Sequence, residues 1–465
     1  MSDKYNKDLN HLKTGRWQRQ WAITKASAKA GTKTTSKLWG NAFLQAFDKE
    51  QRDINQQKII AEQANAFVEE LSQLKGSVVK VGQMMALYGE HILPKEIYIA
   101  LRRLEEQTQP LSLHVIQKQL QSVLAEKIEK LNVTETPLGC ASLAQVHLTG
   151  IQDDETQWCL KVLYPGVKDS IHSDIKTMVT LLNFAKLTSI KGFDDWIDEL
   201  ETLLYDEVNY QREANMTEKF AKLVESRAAE LDHVFKVPRI EHTYCGDGVL
   251  CCEFIEGVAV NTLDFSQVSL LRRNRLAKAF LRLFLLEVFE WQTLQTDSNF
   301  GNYRVYLSDD DTGHGDKIGL IDFGAVKTFD DNFIEPLRLM IIGAYQQNHR
   351  KTVEGGLLLG LMQAHFPDDV KQDFYELCLI LVEPFHLSVS NPESEFINDH
   401  GDYCWAKSEL PKRAAKHAAR SALSQYFAVP PKEFALLSRK LLGVYSFIAA
   451  LGGEFNPDDF LSEWC

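Results

Sequence analysis

Asp322 stands at the end of an apolar run, in Leu320-Ile321-Asp322-Phe323-Gly324. A carboxylate at a strand end can hold Mg²⁺ against the phosphates of a nucleotide. The tripeptide DFG alone arises by chance in ~10% of chains of this length at average composition, so its surroundings must decide. Twenty residues upstream, Gln295-Thr296-Asp297-Ser298-Asn299-Phe300-Gly301-Asn302 sets an Asp and an Asn five positions apart. One carboxylate there can meet an attacking hydroxyl or water, while an amide oxygen five residues on turns back to the metal. A polar loop with Asp and Asn in turn roles accounts for the same residues more blandly.

Further upstream, Cys159-Leu160-Lys161-Val162 reads as a strand with a central Lys. Apolar neighbours would bury its stem while the ammonium reaches α- and β-phosphates; an exposed edge-strand Lys is the ordinary alternative. Before it, Gly139, Cys140, Ala141 and Ser142 lie between two short strands and lead into Ala144-Gln145-Val146-His147. Small residues allow a backbone to approach phosphates, although this is no GxGxxG and alone reads as a plain hairpin. A buried Lys needs an acidic partner. The helix Asp206–Asn215 offers Glu207 and Glu213, and Glu207 is the favoured one; a solvated helix face explains most Glu residues. Small-residue loop, Lys, Glu, D-x-x-x-x-N and DFG follow one another in the order of a protein kinase, and independent coincidence in that order is improbable.

These residues need elements to hold them. The chain has 465 residues, 45% hydrophobic and 25% charged, enough for about two or three packed domains and too apolar for disorder. Residues 48–132 carry apolar positions at three- and four-residue spacing and read as helical. Residues 133–258 mix short strands, Trp158–Leu163 and Gly248–Ile255, with a long polar helix, Trp196–Glu225. Residues 259–465 are mostly helical, broken by strands at Val305–Leu307 and Lys317–Asp322, with Asp309–Gly315 as the hairpin turn between them. The fold class expected is α+β, with a mixed-sheet lobe followed by a larger helical lobe.

The net charge is −13, which argues against nucleic acid as a whole-chain partner. The charge is uneven: residues 1–40 hold nine Lys/Arg against two Asp. Residues 1–47 therefore form a basic segment suited to an anionic partner such as a membrane surface, or a solvated end. Residues 16–40 have the make-up of an amphipathic helix anchored by Trp17, Trp21 and Leu38. The longest uncharged apolar stretches, Leu441–Gly453 and Gly355–Phe366, fall short of the ~20 residues a spanning helix needs. No apolar signal-peptide core stands near Met1. Eight cysteines form no CxxC pair, which points to a reducing compartment and buried thiols.

Lys80-Val81-Gly82-Gln83, a KxGQ motif, precedes the sheet lobe, in Gly76–Met84 with His91-Ile92-Leu93-Pro94 following. With the small-residue loop ending in AQVH, QTD-x-N-x-x-N and DFG, it makes the chain similar to the UbiB family of atypical kinase-like proteins from about residue 60 to the C-terminus. The QTD form and Pro430-Pro431-Lys432-Glu433 with Ser438-Arg439-Lys440 resemble the ADCK-type branch. The resemblance implies a two-lobed protein-kinase-like fold with an N-terminal helical extension carrying KxGQ, where Lys80 and Gln83 would face the nucleotide pocket. It implies ATP or ADP with Mg²⁺ as cofactors, and an ATPase or small-molecule kinase supporting ubiquinone (isoprenoid quinone) biosynthesis.

On the same resemblance Asn302 and Asp322 would hold the metal, Lys161 the phosphates, Glu207 would orient Lys161, and Asp297 would orient the attacking group. Backbone groups of Glu253 and Ile255 would read adenine. The partners implied are nucleotide, an anionic membrane surface and lipid- or quinone-precursor-handling enzymes; a homo-oligomer stays open. The location implied is cytoplasmic and peripheral to the inner membrane, or the mitochondrial matrix face in a eukaryote. Two other readings remain: a catalytically weak, nucleotide-gated scaffold for a lipid-handling complex, and a true protein kinase. The KxGQ extension and the lack of an APE-like segment soon after Asp322 count against the last. Three positions depart from the family pattern: Asn209 where ExD has Asp, Gly139 and Cys140 where Ala is usual, and Ser298 where Pro is usual.

Overall fold

The computed structural model describes residues 110–465 except Ser142, 185–192, Asp311 and 423–429. The basic segment and the KxGQ extension expected above, with Lys80 and Gln83, lie outside the described residues. These divide into two compact units, one of residues 110–214 and 240–254, the other of 215–239 and 255–465.

The first unit opens with α1 (Leu113–Leu124), β1 (Leu131–Val133), β2 (Gly139–Cys140), β3 (Ala144–Ile151) and β4 (Asp154–Leu163). α2 (Val167–Phe184), α3 (Phe193–Glu207) and the first turn of α4 (Tyr210–Ser226) follow. β5 (Phe235–Lys236) belongs to the second unit, and β6 (Val249–Glu253) returns to the first. The sheet is antiparallel throughout, in the order β1-β3-β4-β6, with β2 on β3. β4 forms because its side chains alternate. Trp158, Leu160 and Val162 enter a core shared with Ile116 and Leu120 of α1, Ile171 of α2 and Leu204 of α3. Each such buried side chain contributes about 1.5–3 kcal/mol. The alternate positions, Cys159 and Lys161, are left for the other face.

The single helix expected over Trp196–Glu225 is two helices, α3 and α4, with Val208 and Asn209 between them. The break has a local cause: Asn209 Oδ1 accepts the Arg212 N–H at 3.0 Å, the bond by which Asn starts a new helix at its N-cap.

In the second unit, β7 (Val258–Ala259) precedes α5 (Leu270–Leu285), which runs into a π turn at Leu286–Glu290. β8 (Thr293–Gln295), β9 (Tyr303–Tyr306), β10 (Lys317–Leu320) and β11 (Val326–Thr328) follow. β8 pairs with β11, and a second small sheet runs β5-β10-β9-β7. β9 and β10 form the hairpin expected, with Lys317 opposite Tyr306. Its loop is held by the fully buried Asp316, which takes Nε and Nη2 of Arg272 at 2.9 and 2.5 Å. Just before β7, Gly257 has φ +128°, and a Cβ there would lie 2.8 Å from the Val305 carbonyl oxygen. Only glycine lets β7 lie so close to β9.

The rest is helical: α6 (Asp331–Tyr345), α7 (His349–Leu358), α8 (Asp368–Val382), the short α9 (Leu387–Ser390), α10 (Leu410–Ala422) and α11 (Lys432–Ala450). α11 crosses α5 in the core, where the rings of Phe280 and Phe447 stack at 4.1 Å and Tyr303 of β9 meets both edge-on. No helix among the described residues is long and apolar enough to cross a membrane.

Candidate active site

Lys161 lies on β4 between Leu160 and Val162, opposite Val146 of β3 and Leu250 of β6. Its Nζ donates to both carboxylate oxygens of Glu213 at 2.8 and 2.9 Å and sits 5.2 Å from the centre of the Tyr210 ring. Of the two acids expected as candidates, Glu207 and Glu213, with Glu207 favoured, the one that these bonds reach is Glu213. Glu207 belongs to the last turn of α3, on the far side of the helix break. Glu213 sits in the first turn of α4 on its buried stripe with Tyr210, Ala214 and Thr217, where the helix N-terminus also favours an anion. Behind the pair lies Cys252; burial pushes its thiol well above the ordinary value, with Cys159, Cys251 and Glu213 adding to the effect. It is therefore a neutral neighbour, not a thiolate.

The small-residue loop is a tight hairpin. Gly139 pairs with Val146, and the Ala141 N–H donates to the Ala144 carbonyl at 2.8 Å. Ser142 lies outside the described residues. A Cβ at Gly139 would meet nothing within 4 Å among the described residues, so none of their contacts demands glycine there. The first residues of β3 do something the sequence did not disclose. The amide of Gln145 pairs with both backbone groups of Leu111, N–H to Oε1 at 2.9 Å and Nε2 to carbonyl at 3.2 Å. Gln145 Nε2 also meets His147 Nε2 at 2.8 Å, and His147 Nδ1 meets the Thr134 carbonyl at 2.8 Å. A carbonyl can only accept, so Nδ1 carries the proton and Nε2 accepts from Gln145. The AQVH segment thus fastens the chain entering at Leu111 to β3. At the other end of the unit, Glu253 closes β6 opposite Trp158, and the Phe254 N–H donates to the Gln157 carbonyl at 2.9 Å. Ile255, buried, opens the second segment of the second unit.

In the second unit, the loop from β8 to β9 carries Asp297 and Asn302. Asn302 Nδ2 donates to Asp297 Oδ2 at 2.8 Å, and the Asn299 N–H to Asp297 Oδ1 at 3.1 Å. Asp322 follows β10. Its Oδ1 accepts the Gly324 N–H at 2.9 Å, and Phe323 is anchored against Phe220 with ring centroids 4.8 Å apart. The Ile321 N–H donates to the Asn302 carbonyl at 3.2 Å. The hydrogen-bonded β9–β10 pair therefore delivers Asn302 and Asp322 at adjoining strand ends.

This donor set fits Mg²⁺. With the Asn302 amino group committed to Asp297, its carbonyl oxygen is the atom left for a cation. One carboxylate and one amide oxygen are hard donors of the kind Mg²⁺ takes beside waters and phosphates. Beneath the loops, Lys440 of α11 donates to Gln295 Oε1 at 2.9 Å and to the Tyr303 hydroxyl at 2.5 Å. The signal for it was present in the sequence, as a lysine on the stripe Leu436, Leu437, Val444, Phe447 of a helix buried on that face.

Comparison with known proteins identifies the family. Residues 103–355, more than half of the chain, match the ABC1 atypical kinase-like domain. The mitochondrial atypical kinase COQ8 of Saccharomyces cerevisiae is 28% identical over 393 residues, covering 83% of this chain and 72% of its own length. The mitochondrial atypical kinase COQ8B of Rattus norvegicus is 28% identical over 411 residues, covering 86% and 71%. Among solved structures, Rv3197 of Mycobacterium tuberculosis, in complex with erythromycin, superposes with a TM-score of 0.56 at 22% identity, covering 89% of this chain and 97% of its own. That likeness shows a shared fold. The chain belongs to the ABC1 atypical kinase-like family, the UbiB/ADCK type of atypical kinase.

Proposed function

We propose that the chain is a Mg²⁺-dependent ATPase or small-molecule kinase that supports isoprenoid quinone biosynthesis at a membrane surface. The observation that carries the chemistry is the pairing of Asn302 with Asp297 beside Asp322. It presents one amide oxygen and one carboxylate to a cation and orients a second carboxylate. Mg²⁺, when bound, supplies charge neutralisation for the transferred phosphoryl group. Asp322 and Asn302 would hold it. Lys161, steadied by Glu213, would neutralise α- and β-phosphate oxygens, and backbone groups at Glu253 and Ile255 would meet adenine. Asp297 would accept the proton of the attacking water or hydroxyl as its oxygen bonds to the γ-phosphorus and ADP leaves.

The membrane and quinone parts of the proposal are supported by the basic residues before position 40 and by the family. The test is phosphate release from Mg²⁺-ATP by wild type and Asp297→Asn, with and without anionic liposomes. Release stimulated by liposomes and lost in the variant is the expected result. Mg²⁺-nucleotide binding with no release in either protein would replace the enzyme by a nucleotide-gated scaffold.

A further inference from the structure

Lys440 is 4% exposed, and a buried ammonium requires a reason. Its surroundings supply one, all within the second unit. One of its hydrogen bonds goes to Gln295 Oε1, and Gln295 Nε2 donates onward to the backbone carbonyl of Asp322 at 3.3 Å. The other goes to the Tyr303 hydroxyl, which lies 3.1 Å from the backbone carbonyl of Asp297 and 3.1 Å from Gln295 Oε1. Both of these oxygens can only accept, so the Tyr303 hydroxyl is the donor. Two chains of hydrogen bonds thus leave one ammonium and end on the backbones of Asp297 and Asp322.

α11 also touches the Asp297 loop directly. The Cβ that Gly443 lacks would fall 2.3 Å from Ser298 Cβ, and Arg439 donates to the Thr296 carbonyl at 3.3 Å. The helix therefore seats its backbone against the loop one turn beyond Lys440. Glu287, 2% exposed on the π turn of Leu286–Glu290, supplies the nearby acid; burial pushes its carboxyl up to about 7 while Lys440 pulls it down.

We propose that Lys440 is a positioning residue: through Gln295 and Tyr303 it holds the metal-side loop of Asp322 and the Asp297 loop in one fixed relation. The inference rests on the roles proposed above for those two carboxylates. Proteins hold second-layer groups around metal ligands for this purpose, and their loss weakens metal binding roughly 10- to 100-fold. Displacement of a reacting group by about 1 Å costs roughly 100-fold in rate.

The experiment uses the full chain with Mn²⁺-ADP as the metal probe and Mg²⁺-ATP for turnover. Lys440→Met should weaken Mn²⁺-ADP binding about tenfold, leave ADP binding without metal within about twofold, and lower phosphate release about 100-fold. Tyr303→Phe removes the hydroxyl that links Lys440 to the Asp297 carbonyl, and with it the contact to Gln295 Oε1, while leaving the Lys440–Gln295–Asp322 chain and the ring packing in place. It should lower phosphate release about tenfold with Mn²⁺-ADP affinity within about twofold, and it decides the matter if Lys440→Met does not fold. A purely structural lysine would lower melting temperature while leaving metal affinity unchanged, and that result would overturn the inference. So would wild-type turnover in a folded Tyr303→Phe. Asp322→Ala runs alongside: if it binds Mn²⁺-ADP as wild type does, the metal assignment falls and takes this inference with it. If Asp322→Ala loses binding and Lys440→Met keeps it, only the role of Lys440 falls.

Discussion

Lys161 and Glu213 are joined by two hydrogen bonds, of 2.8 and 2.9 Å, across 52 residues of sequence. The carboxylate is 3% exposed and the lysine 21%, so the pair is largely withdrawn from water on one side only. Breaking a buried pair by removing one partner costs about 3–5 kcal/mol, and partial exposure of Lys161 brings that toward the low end. The greater effect is on orientation, since the ammonium must point at phosphate oxygens to be useful.

Glu213→Gln is therefore expected to reduce phosphate release at least about tenfold, while Glu207→Gln stays within about twofold. The comparison is made on phosphate release at saturating Mg²⁺-ATP. Equal losses in the two variants would remove Glu213 from its assigned part.

The choice between these two acids was legible in the sequence at a finer grain than order along the chain. Tyr210, Ala214, Thr217, Phe220 and Val224 recur at helical spacing, and Glu213 falls within that stripe whereas Glu207 precedes it. Asn209, a good N-cap, marks the boundary. Strands β4 and β6 and the β9–β10 hairpin could be read directly because their apolar runs alternate or end in turn residues. Lys440 could not be given a role the same way. Its partners Gln295 and Tyr303 lie 145 and 137 residues away, and no local pattern encodes a contact of that range.

Gly443 gives a second prediction. Because its missing Cβ would sit 2.3 Å from Ser298 Cβ, Gly443→Ala overpacks the junction of α11 with the Asp297 loop, at about 1–3 kcal/mol. Melting temperature and phosphate release should both fall. Ser298→Gly in the same chain removes the colliding atom and should restore release in the Gly443→Ala background. A double variant no better than Gly443→Ala would show that the loss has another origin.

Gly139 is the opposite case. Its φ is not among the positive values, and among the described residues nothing lies within 4 Å of where its Cβ would be. Gly139→Ala therefore narrows the unfolded ensemble without strain and should stabilise the first unit by about 0.4–1 kcal/mol. Thermal unfolding checks this, and a lower melting temperature would mean that the loop needs freedom alanine lacks.

His147 carries a pH dependence whose sign follows from its bonds. Its Nδ1–H is spent on Thr134 and its Nε2 accepts from Gln145. A second proton would set two donors face to face at 2.8 Å. Burial accordingly lowers the imidazole below its ordinary value of 6.5, against a smaller opposing pull from the Thr134 carbonyl. As pH falls through about 6.5 the unfolded chain takes up the proton before the folded one does, so folding stability drops with falling pH and levels off only below the folded value. His147→Gln cannot titrate, and its side-chain oxygen can still accept from Gln145. Melting temperature followed from pH 7.5 down to pH 5 should decline more steeply in wild type than in this variant, because the carboxylates common to both cancel in the difference. The same slope in both proteins would mean that the proton reaches His147 without breaking the contact to Gln145. The hold of β3 on Leu111 would then not depend on the charge of the imidazole.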